Sequence, residues 1–180
     1  MKVYLYEGFT GRKKESRNLL LDALNKFSDK NFKEEDILFK DSGKPYVEGE
    51  KIEFSVSHSV QLWMVAIGES SIGADIQVFK KCDTEGISQK LYSEDEIKFI
   101  DLWGDYGFFK LWTRREALVK AQGKSVFEKM PALVDNNNEL KDEIELAGKK
   151  YIMKDIEISD DISCSICTLD DVKFQIELMN

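Results

Sequence analysis

Cysteine, proline and histidine are scarce in this chain: three, two and one in 180 residues. A small, odd cysteine count provides no disulfide framework. Zinc needs four ligands, and beside Cys164 and Cys167 only Cys82 and His58 remain as soft donors. Cys164 and Cys167 form a C-x-x-C within "DISCSICTL", an alternating stretch in which positions three apart point to opposite faces of a strand. No helix start follows the first cysteine, as a redox motif requires, so both read as buried strand cysteines. Long apolar runs are missing too. The longest uncharged run, Phe54 to Gly68, is too short and too polar to span a bilayer. No N-terminal stretch joins basic residues to an apolar core as a secretory signal does. A cytoplasmic protein without a membrane partner is expected. Positive charge is also in deficit: 26 Lys and Arg face 34 Asp and Glu, a net charge of −8. That balance argues against nucleic-acid binding. An anionic ligand would need a local basic cluster or a divalent metal.

What is present is ordinary for a globular protein, with 42% hydrophobic and 33% charged residues. The length fits one domain, or two small halves sharing a core. Leu20, Ala23, Leu24 and Phe27 recur at helical spacing in residues 13–27. "DSGKPYVEG" is rich in turn residues, and Pro45 excludes a central strand there. Ile52, Phe54 and Val56 share one face of an alternating stretch, whereas Leu62 to Ile67 is continuously apolar, as a strand covered on both sides would be. Ile72, Ala74, Ile76 and Val78 then alternate with Gly73, Asp75 and Gln77, so Asp75 and Gln77 share the face opposite the core-facing residues. In the second half, "YSEDEIKFIDLW" opens with a capping box, Ser93 and Glu96. "GFFKLWTRREALVKAQGK" reads as a helix closed by Gly123. Three strand-like stretches follow, "YIMKDIEIS", "DISCSICTL" and "VKFQIELM", with a looser hairpin near Asp135 to Asn138. Helix, strands, helices, strands is an α+β order.

Trp112, Glu116 and Lys120, four residues apart, line one stripe of the long helix. The same spacing describes a plain surface Glu–Lys pair above a packed tryptophan. Between Lys110 and Lys124, however, five basic residues (Lys110, Arg114, Arg115, Lys120, Lys124) stand against one acid. That is the positive cluster a phosphate ligand would require. "QGKS" at 122–125 fails as a P-loop, because Leu118 holds the place of the first glycine and the stretch ends a helix instead of starting one. Glu96 has a structural reading as the capping-box acid, Asp75 as a strand-edge charge, and His58 as a core histidine bonded to backbone. Together they suit metal-assisted phosphoryl chemistry. Asp75 and Glu116 are hard oxygen ligands for Mg²⁺; Glu96 can accept a proton from an attacking hydroxyl; Lys120 and His58 can pair with phosphates.

"FSVSHS", "IGADI" and "LWTRREALVKAQGKS" resemble the signature stretches of Sfp-type 4′-phosphopantetheinyl transferases, and "GKPY" at 43–46 and "YSEDE" at 92–96 match two further landmarks. The likeness runs in order from about Arg17 to Ser125. It implies the α+β phosphopantetheinyl transferase fold, two similar halves related by a pseudo-twofold. The N-terminal half, 1–78, would carry the nucleotide side, and the C-terminal half, 79–180, the catalytic helix and last strands. It implies a monomer that moves the phosphopantetheine arm of coenzyme A to a serine of an apo acyl or peptidyl carrier protein, releasing 3′,5′-ADP. Asp75 and Glu116, with Gln77, would hold Mg²⁺. Glu96 would be the base or water-positioning group, and Lys120 would serve the leaving phosphate. Arg17, Lys44, Ser57 and His58 would hold coenzyme A. The sequence departs from the family pattern in four places. Gln77 replaces a second acid, Arg115 a lysine, and Ser125 a glycine; Arg12, Lys13 and Lys14 stand where larger relatives carry a longer basic segment. The alternative these departures leave open is a degenerate relative that binds carrier protein or coenzyme A without transfer.

Overall fold

The computed structural model describes residues 1–40, 43–123 and 130–179. Lys124 and Ser125, both singled out above, lie outside the described residues. In chain order the elements are β1 (Lys2–Glu7), α1 (Lys13–Ser28), β2 (Ile37–Phe39), β3 (Pro45–Val47), β4 (Glu53–Ser59), β5 (Leu62–Gly68), β6 (Ile72–Val78), α2 (Thr84–Leu91), α3 (Glu94–Gln122), β7 (Glu143–Leu146), β8 (Lys149–Asp155), β9 (Ile162–Thr168) and β10 (Gln175–Met179). They build two four-stranded sheets, ordered β10-β1-β5-β4 and β6-β9-β8-β7, and a separate β2-β3 hairpin. The protein is α+β.

The central strands of each sheet are covered on both faces. Leu20, Ala23 and Leu24 of α1 close over the outer face of the first sheet, with Tyr4, Phe54, Trp63 and Val65. Val3, Met64 and Ala66 meet Ile72, Ala74, Ile76, Cys164 and Ile166 between the sheets. Phe108, Leu111, Ala117 and Leu118 of α3 cover the outer face of the second, against Tyr151, Met153 and Cys167. The unbroken apolar run of β5 follows from this layering, and Trp63 to Ile67 are wholly buried. Cys164 and Cys167 are free thiols that belong to different cores, as their spacing requires. Each fully buried large apolar side chain contributes about 1.5–3 kcal/mol.

One plan is drawn twice. β1, α1 and the hairpin β4-β5 pair as β1–β5–β4, all antiparallel; β6, α3 and the hairpin β8-β9 pair as β6–β9–β8, again antiparallel. β6 (Ile72–Val78) is the last strand of the 1–78 half and pairs with β9 in the second sheet. β6 opens the second repeat, and β10 returns to pair in parallel with β1. β10 thereby covers the edge of β1.

The two expected helices of the second half are continuous in α3 but broken at Gly104, whose φ of 59° is cheap only for glycine. Ser93 caps the start in the expected box with Glu96, and Gly123 (φ 68°) closes the end. Among the described residues no helix is long and apolar enough to cross a membrane.

Candidate active site

The site lies where the edge strands of the two sheets, β4 and β6, run side by side. No ladder of backbone hydrogen bonds joins them. Instead, Ser55, Ser57 and Ser59 of β4 accept from the backbone N–H of Ala74, Ile76 and Val78 at 3.0, 3.3 and 3.0 Å. Residues two apart share a strand face, so one row of hydroxyls satisfies the edge donors of β6, which burial would otherwise leave unpaired.

The face of β6 bearing Gly73, Asp75 and Gln77 turns to α3. A β-carbon built on Gly73 would lie 1.8 Å from the Ala117 carbonyl oxygen and 2.4 Å from the Ala121 nitrogen. Glycine here lets helix and strand touch backbone to backbone, and that contact carries Glu116 and Lys120 down onto Asp75. The Asp75 Oδ1 accepts from Lys120 Nζ at 2.7 Å and from the Ser57 hydroxyl at 2.6 Å. Lys120 Nζ also reaches the Ala74 carbonyl, at 3.2 Å. Asp75 is buried, so the face expected to oppose the core is itself covered. Burial, and then the charge of Asp75, pushes the Glu116 carboxyl above its usual range, with Lys120 and Arg115 acting the other way. Gln77 donates its amide to Ser59 Oγ at 2.8 Å and to the Val78 carbonyl at 2.9 Å.

Lys44 joins this group. Its amine bonds Glu53 at 3.0 Å and the Ile72 carbonyl at 3.1 Å. It lines, with Pro45, Val56, Lys120 and Gly123, a cavity of about 210 Å³. Two other expected residues sit elsewhere. His58 alternates to the opposite face of β4 from Ser57, where it is exposed with its ring 5.1 Å from that of Phe9. Arg17, on α1, pairs with Glu34 at 2.6 Å. Ser57 and His58, neighbours in sequence, therefore face different surroundings.

Glu96 is buried with both oxygens engaged. Oε2 accepts from the Ser93 nitrogen (2.8 Å) and hydroxyl (2.9 Å), and Oε1 from the Leu133 nitrogen at 3.0 Å. The capping box thus also pins the chain that follows α3. Tyr92 beside it has a buried hydroxyl with no hydrogen-bond partner among the described residues, and burial raises its phenol well above the usual value.

The five-residue basic cluster is not one cluster. Lys110 and Arg114 are buried under the second sheet. Arg114 grips Asp155 with Nε at 3.1 Å and Nη2 at 2.9 Å, and Lys110 reaches Glu157 at 3.0 Å. Four-residue spacing puts both on the flank of α3 facing β8 and β9, so they serve the fold and not a ligand. Lys120 reaches the seam, Arg115 is buried and acts on the Glu116 charge, and Lys124 lies outside the described residues.

Asp75 and Glu116 are hard donors packed closely enough that one raises the proton affinity of the other. Such a pair, with a neutral amide oxygen beside it on β6, fits a divalent cation that keeps water and ligand oxygens in its shell. Among the described residues no group of three or more His, Cys, Asp and Glu could hold a metal alone. A bound ion would share its shell with a ligand.

A seam holding paired carboxylates, a lysine bound to one of them and a second lysine across a cavity defines a polar site for an anionic ligand. Comparison with known proteins narrows the class. The model of the 4'-phosphopantetheinyl transferase superfamily matches residues 71–167, over half the chain, and the chain belongs to that superfamily. It is 29% identical over 147 residues to 4'-phosphopantetheinyl transferase gsp of Aneurinibacillus migulanus, a match covering 77% of this chain and 61% of that protein. With 4'-phosphopantetheinyl transferase psf-1 of Bacillus pumilus the identity is 32% over 101 residues, 51% and 42% of the two chains. With ffp of Bacillus subtilis it is 31% over 90 residues, 47% and 39%. The matched regions thus span less than two thirds of each relative's length.

Sequence reasoning missed the serine row and the close approach at Gly73. The row was visible as serines at positions 55, 57 and 59, a period of two that a strand converts into one face. Gly73 carried no local signal, because its role depends on where α3 lands.

Proposed function

We propose that this protein transfers the 4′-phosphopantetheine arm of coenzyme A to a serine of an apo acyl or peptidyl carrier protein. The serine oxygen forms a bond to the β-phosphorus of coenzyme A. The bond from that phosphorus to the bridging oxygen breaks, and the electron pair leaves on 3′,5′-ADP. The observation that carries this reading is Lys120 Nζ seated 2.7 Å from Asp75, with Glu116 one helical turn away on the same flank, in a chain of this superfamily.

Asp75 and Glu116, with Gln77, would hold Mg²⁺. A bound Mg²⁺ would neutralise charge on the pyrophosphate. Lys120 is the cation placed to meet the leaving phosphate, and Lys44 lines the same cavity. His58, with Arg17, is assigned to the nucleotide end of coenzyme A. Glu96 accepts three of the roughly four hydrogen bonds that a carboxylate can take, so one lone pair on Oε1 is left to take the serine proton. We also take the protein to act as a cytoplasmic monomer, which a trimeric mass in solution would refute.

One departure favours a second reading, binding without transfer: Gln77 brings no charge where many relatives have an acid, and a neutral donor weakens a hard-cation site. The deciding experiment is intact-mass analysis of apo acyl carrier protein incubated with this protein, coenzyme A and Mg²⁺. A gain of one phosphopantetheine arm is expected, lost with Asp75→Ala and with EDTA. No gain on several apo carriers, while coenzyme A still binds, would establish the second reading.

A further inference from the structure

The serine row of β4 meets more than the backbone of β6. We propose that Ser57 and Ser59 are positioning residues that aim two oxygen donors, Asp75 and Gln77, at the cation site. The inference rests on the divalent-cation reading above, and it reassigns Ser57, which the family resemblance gives to coenzyme A.

Ser57 and Ser59 each sit against one N–H of β6 and against the side chain of the residue before it. Ser57 accepts from the Ile76 nitrogen and donates to Asp75 Oδ1 at 2.6 Å. A hydroxyl has one proton, and this one is spent on a carboxylate, in a buried residue facing away from His58. A coenzyme A phosphate would have to take it from Asp75. Because Lys120 binds Oδ1 as well, that oxygen is held by two donors, and Oδ2 has no partner among the described residues.

Ser59 repeats the arrangement one step along. It accepts from the Val78 nitrogen and from Gln77 Nε2, whose other proton goes to the Val78 carbonyl. A carbonyl can only accept, so the amide cannot be flipped, and both its N–H groups are used. The carboxamide oxygen is therefore the end left to face a ligand. Ser55 makes the same seam bond to the Ala74 nitrogen, but the preceding residue is Gly73, which offers no side chain to aim. The strand contains its own control. Outer partners that orient a ligand typically change metal affinity by about 10- to 100-fold when removed.

The test uses Mn²⁺ as the probe, with free ion counted by electron paramagnetic resonance in the absence of coenzyme A. Ser57→Ala should weaken Mn²⁺ binding by about 10-fold, Ser59→Ala by about 3-fold because its ligand is neutral, and Ser55→Ala by less than about 2-fold. Calorimetry in EDTA should show coenzyme A affinity retained in Ser57→Ala and reduced in His58→Ala. Wild-type Mn²⁺ affinity in Ser57→Ala, or a loss of coenzyme A affinity in EDTA matching that of His58→Ala, overturns the proposal. Should Ser57→Ala fail to fold, Ser57→Cys keeps the volume, weakens the donor and carries the same comparison. A wild-type protein that binds Mn²⁺ through Asp75 but ignores both serines refutes this inference alone. One that takes up no Mn²⁺ refutes the divalent-cation reading with it.

Discussion

Helix α3 carries two pairs of charged residues at the same spacing, and they are put to opposite uses. Lys110 and Arg114 lie over the middle of the second sheet, where Asp155 and Glu157 meet them. Glu116 and Lys120 lie over β6, at the seam, where Asp75 and Ser57 come from two different sheets. Burial alone would lower the Lys110 amine, but Asp155 and Glu157 hold it above its usual value, so this charge is fully committed. At the seam one carboxylate oxygen of Asp75 is anchored and the other has no donor among the described residues. A charged pair becomes structure when the fold already supplies its counter-charges, and a candidate site when a seam supplies only some.

Four changes probe this contrast. Asp155→Ala strands Lys110 and Arg114 as buried, uncompensated charges, so urea denaturation should show a loss of about 4 kcal/mol. Transfer activity of the fraction still folded should be unaffected. Gly73→Ala drives a methyl into the backbone of α3, and the same assay should report about 3 kcal/mol lost. Here activity falls too, because Asp75 and Lys120 part company. An unchanged midpoint would mean that strand and helix are not in backbone contact.

Lys120→Ala should invert the Asp155 result. Asp75 keeps Ser57 as a donor, so the change should cost less stability than Asp155→Ala, but it should lower kcat/KM for carrier modification about 100-fold, or about 2.7 kcal/mol of barrier. Equal loss in stability and activity would make Lys120 another structural cation. The smallest effect concerns Glu116, whose folded-state value is raised from the usual 4.5. A raised carboxyl binds its proton more tightly in the folded protein, so it favours folding at low pH, and that contribution is lost as pH rises through the folded-state value. Glu116→Gln should therefore melt on the order of 2 °C higher at pH 7. The gap should close below the usual 4.5. Mg²⁺ should raise the melting temperature of the wild-type protein and leave the variant's where it was.

Much of this arrangement was legible from local pattern. The helix of α1, the alternation in β4 and β6, the buried run of β5, the Ser93–Glu96 box and the Gly123 stop all depend on neighbours within about one turn or one strand repeat. β1, β2 and β7 were not read as strands. The peptide "KVYLYE" does alternate, yet its place at the centre of a sheet is set by β5 and β10, both distant in sequence. The basic cluster misled for a related reason. Charge density along a sequence counts Lys110 and Lys120 together, whereas a helix turns them toward different partners.

The order of motifs, the paired acids Asp75 and Glu116, and membership of a phosphopantetheinyl transferase family lay in the sequence itself, because motif order and residue chemistry are properties of a string. Three matters belonged to tertiary structure alone. Two copies of one strand-and-helix plan meet along β4 and β6; Ser57 faces Asp75 while His58 faces Phe9; and of the five basic side chains on α3, Lys120 reaches the seam while Lys110 and Arg114 are spent on Asp155 and Glu157. These follow from contacts between segments tens of residues apart, whose geometry is fixed only when both sheets have closed over a common core.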